Sequence, residues 1–333
     1  MDVEILNSSL KLIGQVDTPP SIIWHRKFHE AGVFEIYAPA TQNNASLLRT
    51  GNFVRKGTEG GRISSFVINK NEDSQEFITA TGEFASYLLK QRIINKCGQL
   101  SETAELNMRN LVSENCINSE NTDRNIENLS LGELNWFTDK ADAFVNYDNL
   151  YDFICDYSKL TDIGFSIDIK SGKLIFNTHK GSYKPNVVFA REYENLLTAS
   201  YKEDISQTVN VVTARYSGDM GEVIKTVGVA SGLDRYEKYI EGQAITKTEL
   251  NSNVLDKTAT EQSLFSQAEN EISPAFYNFE GTVSFASGYK TEYDIGDTVT
   301  IYEKKWSLKR LAKIIEVQEV YDETGVQYIP VFQ

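Results

Sequence analysis

The chain has 333 residues, with 33 Lys and Arg against 47 Asp and Glu and a formal net charge of −14, which leaves room for two or three domains that each bury a core. The acidic balance argues against wrapping nucleic acid, because neutralising phosphate takes Lys/Arg patches. Tyr and Phe, 17 of each, with only 6 Pro, suit a β-rich packed protein better than a disordered one.

Residues 1 to 98 are near neutral and strand-like. Val3, Ile5 and Leu10–Ile13 begin the pattern and Pro19-Pro20 breaks it. Ser21 to Phe28 and Val33 to Pro39 then read as a hairpin around His29-Glu30-Ala31-Gly32, with Trp24, Arg26 and Phe28 on one face and Phe34 and Ile36 on one face of the return strand. A strand at Asn52–Lys56, a turn at Glu59-Gly60-Gly61, and strands at Ile63–Asn69 and Glu76–Thr81 complete a meander, and Gly82–Ile94 reads as a short helix leading out.

From 99 to 195 the period changes. Ala104, Met108, Leu111 and Val112 make one helical stripe, with Ser101 as N-cap and Glu102 and Glu105 in the first turn. A second helix is expected from Tyr147 to Leu160, with Leu150, Phe153, Ile154, Tyr157 and Leu160 inward and Gly164 closing it. Phe165, Ile167 and Ile169 alternate, Ser171-Gly172 turns the chain, and Leu174 and Phe176 return, so this segment is α+β.

From 196 to 333 strands resume: Thr208–Tyr216 and Glu222–Gly228, parted by Ser217-Gly218-Asp219-Met220-Gly221. A helix is expected over about 246–272, stopped by Pro274, then a strand at Tyr277–Phe285. Ile295, Val299 and Ile301 alternate, Ile314, Val317 and Val320 continue the pattern, and Asp322-Glu323-Thr324-Gly325 turns into Gln327-Tyr328-Ile329. The fold class expected is α+β, mainly β: two β domains (1–98 and 196–333) around a smaller α+β insertion domain (99–195). A chain that stops on such a strand is expected to lack an appended catalytic module.

Cys97, Cys116 and Cys155 are an odd number without CxxC spacing, against a disulfide framework or zinc knuckle, and are read as small buried or half-buried side chains. No basic segment leads into an apolar one at the N-terminus, and no apolar run reaches the roughly 18 residues of a membrane span, so a soluble product made in a cytoplasm is expected. His25 and His29 are four apart, but the segment alternates as a strand, which separates them by about 13 Å at roughly 3.3 Å per residue; they are read as the polar face of a hairpin, and His179, beside Lys180-Gly181, as a surface residue. No G-x-S-x-G, Walker or G-x-G-x-x-G pattern is present, and the glycines near 57–61 and 218–221 are read as hairpin turns. Asp139/Asp142 and Asp152/Asp156 are read as solvated charges on helix faces. The expectation is therefore no catalytic, cofactor-binding or metal residue, and no cofactor.

In their order along the chain, several short patterns carry a resemblance: Ser21-Ile22-Ile23-Trp24-x-Arg26 with Gly32-x-Phe34-x-Ile36-x-x-Pro39, Leu48-x-x-Gly51, Thr81-Gly82 with Leu88-x-x-x-Arg92, Gly164-Phe165, Gly232-Leu233-Asp234-Arg235-Tyr236-Glu237, Tyr293-Asp294-Ile295-Gly296-Asp297-x-Val299, Ile314-Ile315-Glu316-Val317 and Gly325-x-x-x-x-Pro330. Together they resemble the hub proteins of phage tails and phage-tail-like bacteriocins of Gram-positive bacteria, the Gp37-like, tail-associated hub family. The resemblance implies two tube-type β-barrel domains flanking the α+β domain, and a homotrimer whose six barrels match a sixfold tail tube while its threefold side receives a tip. The implied partners are the tail tube or distal tail protein above, a spike or tip protein below and the tape measure protein as a further neighbour, with DNA only as passing cargo. Assembly in the bacterial host cytoplasm and residence in the virion tail or a released particle follow from the same resemblance. Two rival readings are a cell-wall-degrading tail-associated hydrolase, suggested by the surplus carboxylates, and a carbohydrate-binding module, which the scatter of Trp24, Trp136 and Trp306 over three regions disfavours.

Overall fold

Period-two burial organises the first third of the chain. The computed structural model describes residues 3–16, 19–70, 74–219, 221–249, 252–282 and 288–333. It opens with β1 (Glu4–Leu6), β2 (Leu12–Gln15), β3 (Ser21–Lys27), β4 (Val33–Pro39), α1 (Gln42–Leu47), β5 (Phe53–Lys56), β6 (Glu59–Lys70) and β7 (Glu76–Phe84). β3 and β4 pair from Ser21↔Tyr37 to His25↔Val33, and Ile22, Trp24, Phe34, Ile36 and Ala38 all point into one core, as alternation demands. The turn into β6 lies before Glu59, because Gly60 and Gly61 already pair with Arg55 and Val54. Gly82 to Phe84 likewise stay in the sheet, so the helix expected over 82–94 shrinks to a 3-10 segment at Ala85–Gln91.

The middle segment contains β8 (Cys97–Leu100), α2 (Ala104–Val112), β9 (Leu129–Leu131), β10 (Ala143–Asn146), α3 (Leu150–Thr161), β11 (Gly164–Lys170) and β12 (Lys173–His179). Thr103, not Ser101, caps α2: its hydroxyl accepts from the Leu106 N–H. Asn149 caps α3 by accepting from the Tyr151 and Asp152 amides at 3.1 and 3.3 Å, which delays the helix past the expected Tyr147. Asp162 ends it in the left-handed conformation, a place Asp tolerates, so Gly164 begins β11 instead of closing the helix. Tyr151 takes an inward place, and Leu160, expected inward, is exposed. Leu111, Ile154, Phe165 and Phe176 form one core with Leu6 of β1, Leu10 of the turn after it and Phe53 of β5. Cys116 and Cys155 are buried, whereas Cys97 is exposed, because β8 pairs only with β10 in a two-stranded ladder.

The last segment comprises β13 (Tyr183–Ala190), β14 (Ser200–Asp204), β15 (Val211–Gly218), β16 (Gly221–Val227), β17 (Glu237–Glu241), β18 (Thr246–Glu249), β19 (Ser252–Leu255), α4 (Lys257–Asn270), β20 (Phe276–Glu280), β21 (Thr298–Glu303), β22 (Leu308–Asp322) and β23 (Gly325–Phe332). The helix expected over 246–272 is confined to α4. Thr246, Thr248 and Val254 favour extended backbone and make the β18–β19 ladder, and Asp256 then starts the helix by accepting from the Ala259 amide at 3.1 Å. Met220 and residues 283–285, in an expected turn and strand, lie outside the described residues.

A 13-stranded sheet runs in the order β14-β20-β23-β22-β3-β4-β7-β6-β5-β1-β2, with β21 beside β22 and β13 beside β21. The fold is mainly β. At 15 residues, β22 is long enough to serve two neighbours along one edge: β21 pairs with Leu308–Lys313 and β3 with Glu316–Tyr321, while β23 holds the other edge. The first and last thirds of the chain are thus one continuous sheet. Where closed barrels were expected, the described strands trace an open path from β14 to β2, and no ring closes among them. β15, β16 and β17 form a separate sheet covered by α4.

Candidate functional site

The seam between β3 and β22 is where the chain concentrates its buried charge. Alternation places Trp24 and Arg26 on the core side of β3, opposite Glu319 and Val317 of β22. Trp24 belongs to one hydrophobic core and Val317 to another, so the polar side chains between them act as a partition. Arg26 sends its Nη1 to Asp294 Oδ1 at 2.5 Å and to the Tyr289 hydroxyl at 2.6 Å, and its Nε to Glu59 Oε1 at 2.7 Å. Glu59 also accepts from the Trp24 indole at 3.2 Å. Glu319, 1 % exposed, receives Lys56, Lys290 at 3.0 Å and the Tyr321 hydroxyl at 2.5 Å, and Lys56 lies 5.1 Å from the centres of both the Trp24 and Tyr321 rings.

Two opposite electrostatic effects act here. Burial works against the carboxylate of Glu319, but Lys56 and Lys290 overcome it and hold its pKa down at about 2. Burial likewise opposes the Arg26 charge, and Glu59, Tyr289 and Asp294 outweigh it, raising its pKa. For Lys56 burial prevails over the attraction of Glu319, and its pKa falls. Every charge has an opposite partner, so the cluster is a strut, with no group left poised for proton transfer.

Below the seam a cavity of about 930 Å3 opens between the end of β3, α3, β22 and the segment around Asn210 and Ile272. Its lysines are engaged: Lys27 with Glu30 and Glu316, Lys159 with Glu30, and Lys313 with Asp162. The histidines converge nearby. His25 meets Glu316 at 2.7 Å across the seam. His29 contacts the Ser158 hydroxyl at 2.8 Å and His179 ends β12; both stand edge-on to Phe28, at 4.7 and 5.1 Å between centres. The surface positions expected for His29 and His179 are therefore corrected: Phe28, just past the end of β3, covers both. Burial, followed by Lys313 for His29 and Arg26 for His179, pulls both pKa values down to about 4. Among the described residues no group of three or more His, Cys, Asp and Glu could hold a metal ion.

The other carboxylates behave structurally. Asp139 and Asp142 lie in irregular backbone, not on a helix, and Asp139 pairs with Lys180 at 2.8 Å. Asp152, on α3, pairs with Lys90. Sequence reasoning gave Glu105 only a first-turn role. Its buried carboxylate accepts from the Asn135 and Phe137 amides at 2.8 and 3.0 Å and from the Thr178 hydroxyl at 2.7 Å, which pins the 132–137 loop to β12.

The family described as Siphovirus ReqiPepy6 Gp37-like protein matches residues 2–332. The chain belongs to this family. Solved structures of low identity share the fold of this Gp37-like chain. The 43 kDa tail protein of prophage MuSo2 from Shewanella oneidensis is 13 % identical, with 100 % of this chain and 98 % of that one covered and a TM-score of 0.57. The tail protein from Neisseria meningitidis MC58 is 9 % identical over 99 % and 95 %, with a TM-score of 0.60, and prophage tail protein gp18 from Listeria monocytogenes EGD-e is 11 % identical over 99 % and 94 %, with a TM-score of 0.55. No curated protein matches. Three of the residues that carried the resemblance, Trp24, Arg26 and Asp294, meet around the seam.

Proposed function

We propose that this Gp37-like chain is a non-enzymatic structural protein of a phage tail or phage-tail-like particle: the hub, a homotrimer that adapts a sixfold tail tube to a threefold tip or spike. The observation that carries the reading is the continuous sheet, whose path through the described strands ends on unpaired edges at β2 and β14, with β13 ending the branch beside β21. A sheet that exposes unpaired edges at both ends invites strand addition, and a head-to-tail contact between copies generates a ring when the rotation closes. In this reading the segments 1–98 and 196–333 supply the two tube-type halves, 99–195 is the α+β domain set against them, and closure comes from neighbouring copies. Three chains then present six halves to the tube or distal tail protein above and one threefold face to the spike or tip below.

The face of the sheet away from the cores supports a conduit role. In register it carries Ile23, His25 and Lys27 beside Val320, Gln318 and Glu316, and Glu35 and Glu83 on β4 and β7. Such a mixed face has no cation excess to hold DNA passing as cargo. The fully paired charges of the seam support the absence of catalysis. Native mass spectrometry of the purified chain, or of dissociated particles, is expected to give the mass of three chains; a stable monomer at high concentration overturns the trimer. Soluble fragments released from peptidoglycan by the pure protein would overturn the non-enzymatic reading and favour a tail-associated hydrolase.

A further inference from the structure

Residues 205–275 are inserted between β14 and β20, which pair with each other from Ser200↔Glu280 to Asp204↔Phe276. The insertion is pinched at its base, where the Val209 N–H donates to Ser273 O at 2.7 Å and the Ser273 N–H to Val209 O at 2.9 Å. Beyond that pinch it has its own sheet and its own core of Val212, Ala214, Val223, Leu264 and Ala268. It rests on the body through α4, where the Phe144 N–H donates to Ser266 Oγ at 3.1 Å. A cavity of about 320 Å3 lies at this contact, lined by Phe144 and Ser266 themselves, and adjoins the one of about 930 Å3 already described through Asp156, Leu160, Glu269 and Asn270. Among the described residues the module is thus held by the Val209–Ser273 bridge and by the packing of α4 on β8 and β10, with open clefts beside it, and so narrow an attachment is the kind that opens locally.

The charges across the smaller cavity have one sign. α4 contributes Glu269, and the body contributes Asp142, Asp148, Asp152 and Asp156. Lys90 pairs with Asp152, which leaves Asp142, Asp148 and Asp156 facing Glu269, and the lysines that line the larger cavity with Glu269, namely Lys27, Lys159 and Lys313, pair with Glu30, Glu316 and Asp162. We propose that residues 205–275 form a hinged module that swings off the α3 face about the Val209–Ser273 ladder, with the carboxylates facing Glu269 biasing it open. Burial, then Asp142, raises the Glu269 pKa, and burial, with Asp152 and Glu30 against the pull of Lys159, raises that of Asp156. The docked module therefore binds protons more tightly than the undocked one, and falling pH favours docking. Opening would expose the cavity that holds Lys27, His29 and Glu316.

The test uses the full chain in a Cys97→Ser background with Glu120→Cys on the body and Val229→Cys on the module, both exposed sites, spin-labelled for pulsed electron–electron distance measurement. Two distance populations are expected at pH 7.5. Ser266→Ala should enrich the open one and Glu269→Gln deplete it, each by about two- to fivefold, the range that such half-buried polar contacts support. Lowering the pH to 5 should act like Glu269→Gln. Circular dichroism checks that each variant is folded. A shift in either variant or with pH supports the hinge, and a single narrow distance unchanged under all these conditions overturns it.

Discussion

Lys56 and Glu319, 263 positions apart in the chain, form an ion pair inside the protein that neither β5 nor β22 could hold alone. Removing one partner leaves the other buried and unpaired. Glu319→Ala is expected to destabilise the protein by about 3–5 kcal/mol, whereas replacing both by apolar residues of similar size should cost far less. Urea denaturation of the single variants and of Lys56→Met with Glu319→Met measures this; a double-variant loss equal to the sum of the two single losses would show that the pair is not coupled.

The histidines flanking Phe28 set a pH dependence. Their folded pKa values, about 4, lie below the ordinary 6.5, so the unfolded chain binds protons first as pH falls. Stability is expected to be fully present above about pH 6.5 and to decline towards pH 4, by on the order of 3 kcal/mol for each histidine. Denaturation midpoints read at several pH values should flatten across this window in His29→Gln with His179→Gln. An unchanged slope in that variant would assign the effect to other groups.

Gly296 adopts a φ of +92°, and an added Cβ would lie 2.3 Å from Cε2 of Phe28. Gly296→Ala is therefore both strained and overpacked, and a loss of about 2–4 kcal/mol is expected. Phe28→Leu in the same chain relieves the clash but not the strain, so it should recover part of the loss. Denaturant midpoints decide, and full stability of Gly296→Ala would refute the argument.

Cys97 is exposed while Cys116 and Cys155 are buried, and burial raises those two thiols to about 11 and about 12. Burial and Asp148 raise the Cys97 thiol as well, so its exposure sets it apart: one thiol per chain should react with a disulfide reagent well before the other two, and all three after denaturation. Fast reaction of a second thiol in the native protein would contradict the packing around α2 and α3.

What the sequence made legible was periodicity. The β3–β4 hairpin, the β11–β12 hairpin and the C-terminal strands follow from alternation, because one face of each is buried. Helix limits were less legible, since Thr103 and Ser101 are equally good caps on paper and only the position of the first buried residue chooses between them. The seam was not legible at all: Arg26 and Asp294 are 268 residues apart, and no local pattern records which distant carboxylate an arginine will meet. His179 was misread for the same reason, because Phe28, which covers it, comes from the turn after β3, far away in the chain.

The shared edge of β22 has a consequence for how the protein is made. During synthesis the N-terminal strands emerge first, and β3 then has β4 on one side only, with its other edge waiting for a strand nearly three hundred residues downstream. Pairing across so long a loop is slow, and an uncovered strand edge invites association with other chains. Until β22 is translated, the nascent chain therefore carries an incomplete sheet that favours premature contacts, and the arrival of one strand both completes the sheet and joins the two ends of the chain. Folding of this protein is expected to finish in a single late step, with little stable structure at the seam before it.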